Sequence, residues 1–231
     1  MPLQLVSYSG KIKTTIDKYN ALSGNEKTGE YWNNTSDTNL KEAKKHIKDH
    51  YIKYQDFTCC YCQQRVEIKH NAVWDIEHII PKDQYPQFLF EPENLCVSCK
   101  DCNMEKSNKR VLKNVNRKTF PKKDTDYIIV HPHFDEYKKH IRVLKSSLFF
   151  IPKDTKGRKT IETCGLLRFL YKFSDYGNVT LEIKKKIAHL TDELLATTDP
   201  QVEHLILSAM RELTKRGKEI SLQKALRSIA S

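Results

Sequence analysis

The chain has 231 residues, and its 40 Lys and Arg against 29 Asp and Glu give a formal charge of +11, which excludes an acidic tail protein and suits a polyanionic partner. A hydrophobic content of 39% is enough for a real core and excludes wholesale disorder, and the length suits one or two compact domains. No window approaches the roughly 18 consecutive apolar residues of a membrane span, and Met1 to Gly10 lack the apolar stretch of a secretion signal. The expectation is a soluble, cytoplasmic protein with no membrane partner.

In chain order, Lys11 to about Asn34 contains a short helix and the turn-forming runs Ser23-Gly24-Asn25 and Asn33-Asn34. From Asn39 to Tyr54, Leu40, Ala43, Ile47, Tyr51 and Tyr54 recur at three- or four-residue spacing, which predicts an amphipathic helix. Its lysines, Lys41, Lys44, Lys45 and Lys48, read as solvated helix surface. Residues 1–56 are thus expected to be an N-terminal helical segment, and 57–112 the part that carries chemistry.

Six of the seven cysteines crowd between Cys59 and Cys102, a distribution unlike a secreted disulfide framework and typical of metal binding in a reducing compartment. Cys59-Cys60-Tyr61-Cys62 supplies one C-x-x-C, and Cys96-Val97-Ser98-Cys99-Lys100-Asp101-Cys102 supplies two overlapping ones. A two-residue interval lets a tight turn aim two thiolates at one ion, so a structural Cys₄ zinc site is expected. Spacing allows Cys59 and Cys62 to combine with either Cys99 and Cys102 or Cys96 and Cys99; the first set is preferred. Cys60, Cys96 and Cys164 read as buried small apolar residues.

Between the knuckles, in Trp74-Asp75-Ile76-Glu77-His78-Ile79-Ile80-Pro81, carboxylates and a histidine interrupt an apolar strand, and an ionised carboxylate there needs a partner or a metal. A regular strand would place Asp75 and Glu77 on one face and His78 on the other, so the strand is expected to bend near His78. Asn94 precedes the second knuckle, and Asn103 follows its last cysteine with Lys106 about one turn later.

Taken together, CCYC, DIEHIIP and NLCVSCKDCNMEK resemble, in order, the elements of the HNH, or ββα-metal, endonuclease family. The resemblance covers roughly Cys59 to Lys106. It implies an α+β fold in which a β-hairpin and a helix are stapled by zinc, with a helical segment before and a mainly helical region after. It implies phosphodiester hydrolysis of DNA, RNA not being excluded, with His78 as general base and Glu77 and Asn103 as ligands of a catalytic Mg²⁺ or Mn²⁺. Asp75 is a second candidate ligand, Asn94 would bond loop backbone and orient His78, and Lys106 would steady a phosphate oxygen. The family name denotes His-Asn-His, whereas this chain reads His78, Asn94 and Asn103, with Glu where Asp is common.

Beyond the knuckles, Lys109, Arg110, Lys113, Arg117, Lys118, Lys122 and Lys123 form a basic stretch read as a phosphate-contacting surface. Val66-Glu67-Ile68, Tyr127 to Val130 and Ser147 to Ile151 read as strands, and the His131, His133 and His140 segment as loop structure. Residues 113–231 are expected to be mainly helical, in four runs: 161–173, 181–196, 200–213 and 220–230. The segments VHPHFDEYKKHI and TKGRKTIETCGLLR are similar to those of the small HNH components of bacterial anti-phage systems, Septu and retron-associated nucleases. That resemblance implies a partner ATPase.

Overall fold

The computed structural model describes residues 3–67, 73–144, 149–169 and 179–229, with backbone alone for 179–181 and 221–229. It is α+β, and the described residues form two units. The first comprises residues 1–140 with 162–165, and the second 141–161 with 166–231. The expected boundaries near 56 and 113 are therefore not unit boundaries: the N-terminal helices pack directly on the cysteine-rich block.

In the first unit, helix α1 (Gly10–Asn20) packs on α2 (Thr38–Tyr54). The α2 N-terminus is capped by Asp37, whose Oδ1 accepts from the backbone N–H of Asn39 and Leu40, satisfying two donors that the helix leaves without partners. Leu40, Ala43, Ile47 and Tyr51 are buried as their spacing predicts. Tyr54 is not, being 42% exposed, because the helix ends there and Ile52 takes the inward position.

Strand β1 (Trp74–His78) pairs antiparallel with β2 (Leu95–Cys99), and α3 (Lys100–Lys106) follows directly, an order of strand, strand and helix. The register runs unbroken from Trp74 opposite Cys99 to His78 opposite Leu95. The expected bend thus comes just after His78, at Ile79 and Ile80, and not within the strand.

The Gln55 side chain fastens α2 to this hairpin by acting as a strand partner. Its Oε1 accepts from Val97 N–H and its Nε2 donates to Val97 O, both at 2.8 Å. Tyr51 adds a second tie, its hydroxyl donating to Pro92 O at 2.7 Å while accepting from Val6 N–H.

Val66-Glu67-Ile68 contributes no ladder among the described residues. Only an isolated bridge joins Thr58 and Arg65, and Ile68 lies outside the described residues. Tyr127 likewise makes a single bridge to Leu112 instead of a strand, because the segment turns at once into loop.

The second unit contains the hairpin of β3 (Ile141–Leu144) and β4 (Phe149–Pro152), which follows the short helix α4 (Tyr137–His140) of the first unit; residues 147 and 148 of the strand expected from Ser147 to Ile151 lie outside the described residues. Helix α5 (Thr155–Thr163) ends before Gly165, whose φ of +57° is a left-handed conformation that favours glycine. The run expected at 161–173 is therefore not one helix: after Gly165 the chain makes a 3₁₀ turn, Leu166–Arg168, and residues 170–173 lie outside the described residues. Helices α6 (Val179–Ala196) and α7 (Pro200–Ile229) pack together around Ile183, Leu190, Ile206 and Leu213. The two runs expected at 200–213 and 220–230 are one continuous helix. Gly217, the only helix-weakening residue between them, faces Ile183, where an added Cβ would lie 3.4 Å from its Cγ2, so packing offsets its poor helix propensity. No helix among the described residues is long and apolar enough to cross a membrane.

Gly29 begins the 3₁₀ turn that carries Trp32, and an added Cβ there would lie 2.9 Å from Asp83 Cα. Gly29→Ala should therefore destabilise the fold by about 1–3 kcal/mol through overpacking. Gly24→Ala, with nothing within 4 Å, should stay within about 0.5 kcal/mol. Urea denaturation of the two variants against wild type checks this.

Candidate functional site

Cys59, Cys62, Cys99 and Cys102 bring their sulfurs within 4.8 Å of one another, the one such group of potential metal ligands among the described residues. Cys62 Sγ and Cys99 Sγ are 3.9 Å apart, close to the ~3.8 Å edge of a tetrahedron with Zn–S bonds of about 2.3 Å. The backbone N–H of Cys99 donates to Cys59 Sγ, which disperses thiolate charge. The donor set and its spacing fit structural zinc. Cys60 and Cys96 stand apart as a buried pair, their sulfurs 3.4 Å from each other, and burial pushes both thiols up. Cys164 is buried as expected.

The cluster joins the 59–62 turn to the junction of β2 and α3, and so fixes α3 across the hairpin. The consequence lies beneath His78. Lys106, 1% exposed, ion-pairs with Glu77 Oε1 at 2.7 Å and donates to His78 O at 2.8 Å. Tyr61, from inside the first knuckle, donates its hydroxyl to the same Glu77 oxygen. Burial pushes the Glu77 carboxyl up and the Lys106 ammonium opposes this. The partner that a carboxylate in this apolar strand requires is therefore Lys106. The structure places these two residues, expected as a metal ligand and a phosphate contact, in a buried pair that also lines the cleft described below.

His78 is 7% exposed. Its Nε2–H donates to Leu89 O at 3.1 Å, which leaves Nδ1 as the basic nitrogen. Burial, with help from Lys106 and Lys82, lowers its pKa to about 3, so the ring is neutral at pH 7. Trp32 packs edge-on against it, with ring centroids 4.6 Å apart. Asn94, fully buried, accepts from Ile80 N–H at 2.7 Å and donates to Ile80 O and Phe88 O. It thereby closes the 80–94 loop that supplies Leu89 O.

Asp75 and Asn103 lie together, Asn103 Nδ2 donating to Asp75 Oδ2 at 3.0 Å, while Lys100 pairs with the other Asp75 oxygen. Of the two carboxylates, the one presented beside Asn103 is Asp75. Asp75, His78 and Asn103 all line one cleft of about 570 Å³. The carboxylate and the amide are hard oxygen donors of the kind that Mg²⁺ or Mn²⁺ prefers.

The cleft also receives Trp32, Lys44 and Lys48, which sequence reasoning did not assign to the site. Nothing local to Trp32 marks it, since it lies 46 residues from His78 in the chain. The basic stretch after the knuckle does not line the cleft, and several of its cations are engaged elsewhere. Lys109 donates to Thr163 O, Arg110 to Leu112 O, Arg117 pairs with Asp126, and Lys122 with Glu93. In the histidine segment, His133 donates to Leu95 O, while His140 pairs with Asp135, whose other oxygen accepts from His131 N–H. This is loop structure, as expected.

No protein-family model matches the chain. It is similar to the Septu protein PtuB of Bacillus thuringiensis, being 28% identical over 184 residues, which cover 70% of this chain and 66% of that protein. The chain thus spans just under two thirds of the length of that relative.

Metal analysis of purified protein should find one zinc per chain. Cys59→Ser or Cys102→Ser should lose it, while Cys60→Ser and Cys96→Ser retain it. Lys106→Met, which strands a buried carboxylate, should cost about 3–5 kcal/mol in chemical denaturation. Pairing it with Glu77→Leu should recover a large part of that loss, because the uncompensated charge is removed.

Proposed function

We propose that the chain is a metal-dependent endonuclease of the HNH type that hydrolyses phosphodiester bonds of DNA. The observation that carries the reading is the convergence of a tautomer-locked, neutral His78 with the Asp75 and Asn103 pair on one cleft of a zinc-stapled strand–strand–helix unit. His78 Nδ1 takes a proton from water, the resulting hydroxide forms the new bond to phosphorus, and the bond to the 3′ oxygen breaks. Leu89 O and Asn94 hold the ring in place for this transfer. Asp75 and Asn103 would hold a Mg²⁺ or Mn²⁺ ion, whose chemistry is to stabilise negative charge developing on the leaving oxygen. Glu77 and Lys106 act from beneath as a fixed support for the His78 backbone.

The similarity to a Septu protein supports a role in anti-phage defence, and the tail resemblance implies an ATPase partner that works with this nuclease. Plasmid cleavage by purified, zinc-verified protein, alone and with the partner, tests the activity. Cutting should require Mg²⁺ or Mn²⁺ and fall by about 10²–10⁴-fold in His78→Ala. Equal cutting by the two proteins would overturn the assignment of the base. Metal-dependent DNA binding without cutting, even with the partner present, would favour a non-catalytic zinc-knuckle binding module.

A further inference from the structure

Helix α2 is not part of the strand–strand–helix unit, yet it forms one wall of the cleft. Lys44 and Lys48 stand one turn apart on the helix and both line the cleft, across from Asp75, His78 and Asn103. Their placement is fixed, because the helix is bound to β2 through Gln55 and to the 80–94 loop through Tyr51.

The two lysines differ from the surface lysines of the same helix. Lys45 also lines the cleft, but it is well exposed and its charge is paired with Asp49. Lys44 is half-buried, donating to Trp32 O at 3.0 Å and lying 5.3 Å from the centre of the Trp32 ring, a carbonyl and a π face that leave its full charge uncompensated. Lys48 is also half-buried and makes no hydrogen bond or ion pair among the described residues, since the nearby Asp75 is already held by Lys100 and Asn103. Burial lowers the pKa of both amines. An anion in the cleft would remove that cost.

The alternative source of positive charge, the stretch from Lys109 to Lys123, contributes no side chain to the cleft. From this geometry, and resting on the nuclease reading above, we propose that Lys44 and Lys48 form the phosphate-binding wall of the site, holding the nucleic-acid backbone against the face that carries His78. Contacts of this kind position a strand without reading its sequence. Lys44 also braces Trp32 against His78, so Lys48 is the cleaner residue to test.

The test is fluorescence anisotropy with short labelled single-stranded and duplex DNA, without added Mg²⁺ or Mn²⁺, on zinc-verified protein across a salt series. Lys48→Ala should weaken binding about 3–10-fold and Lys48→Glu by more than about 10-fold, with the slope of log affinity against log salt falling by about 0.7–0.9. Lys48→Arg should bind like wild type, as should Lys53→Ala on the same helix outside the cleft. If Lys48→Glu binds and cuts like a wild type that shows metal-dependent cleavage, the wall is wrong and the nuclease reading stands. If wild type neither binds nor cuts DNA, with or without the partner, both fall.

Discussion

Four cysteine sulfurs within 4.8 Å of one another form the constraint on which the rest of the site depends. As thiolates they repel, and in apolar surroundings their charge is costly, so a bound cation turns a destabilising cluster into a cross-link. That cross-link ties a turn near residue 60 to the point where β2 becomes α3. A helix of seven residues has little stability of its own, and here its direction is set at its first turn by Cys99 and Cys102.

With α3 so directed, its far end delivers Lys106 beneath β1. The buried pair with Glu77 lies in surroundings where an unmatched charge is expensive, so it admits one arrangement of strand and helix. Lys106 also holds His78 O, and Asn94 closes the loop whose Leu89 carbonyl engages the imidazole. Backbone and ring of His78 are thus held by separate groups, Lys106 at the carbonyl and the 80–94 loop at the imidazole. Asp75, His78 and Asn103 line the cleft together, with Asp75 held by Lys100 and Asn103.

The cleft has a second wall because α2 is amphipathic in an unusual sense. One stripe, from Leu40 to Tyr51, is core, and the lysines beside it are divided by tertiary placement into exposed and cleft-facing positions. The same charges that read as ordinary helix surface take on a different meaning once a concave surface lies against them.

Much of this was legible in the order of residues. The C-x-x-C spacing narrowed the ligands to two sets, of which the preferred one is the cluster, and the periodicity of α2 identified its buried stripe, because each depends on backbone geometry that repeats within a few residues; the order of hairpin and helix was expected from the family resemblance. Strand alternation placed Asp75 and Glu77 on one face, yet could not say which would be drawn into the core and which would meet Asn103. That choice belongs to Lys106, 29 residues beyond Glu77. Trp32, Lys44 and Lys48 became part of the site only through the packing of α2 and its preceding turn, and one continuous α7 replaced two expected helices because Ile183 packs against Gly217. Sequence alone determined which groups are available and their local order. Tertiary structure decided which charges pair, which are buried and which face one another across the cleft, because those outcomes are set by desolvation and contact between segments that no local spacing brings together.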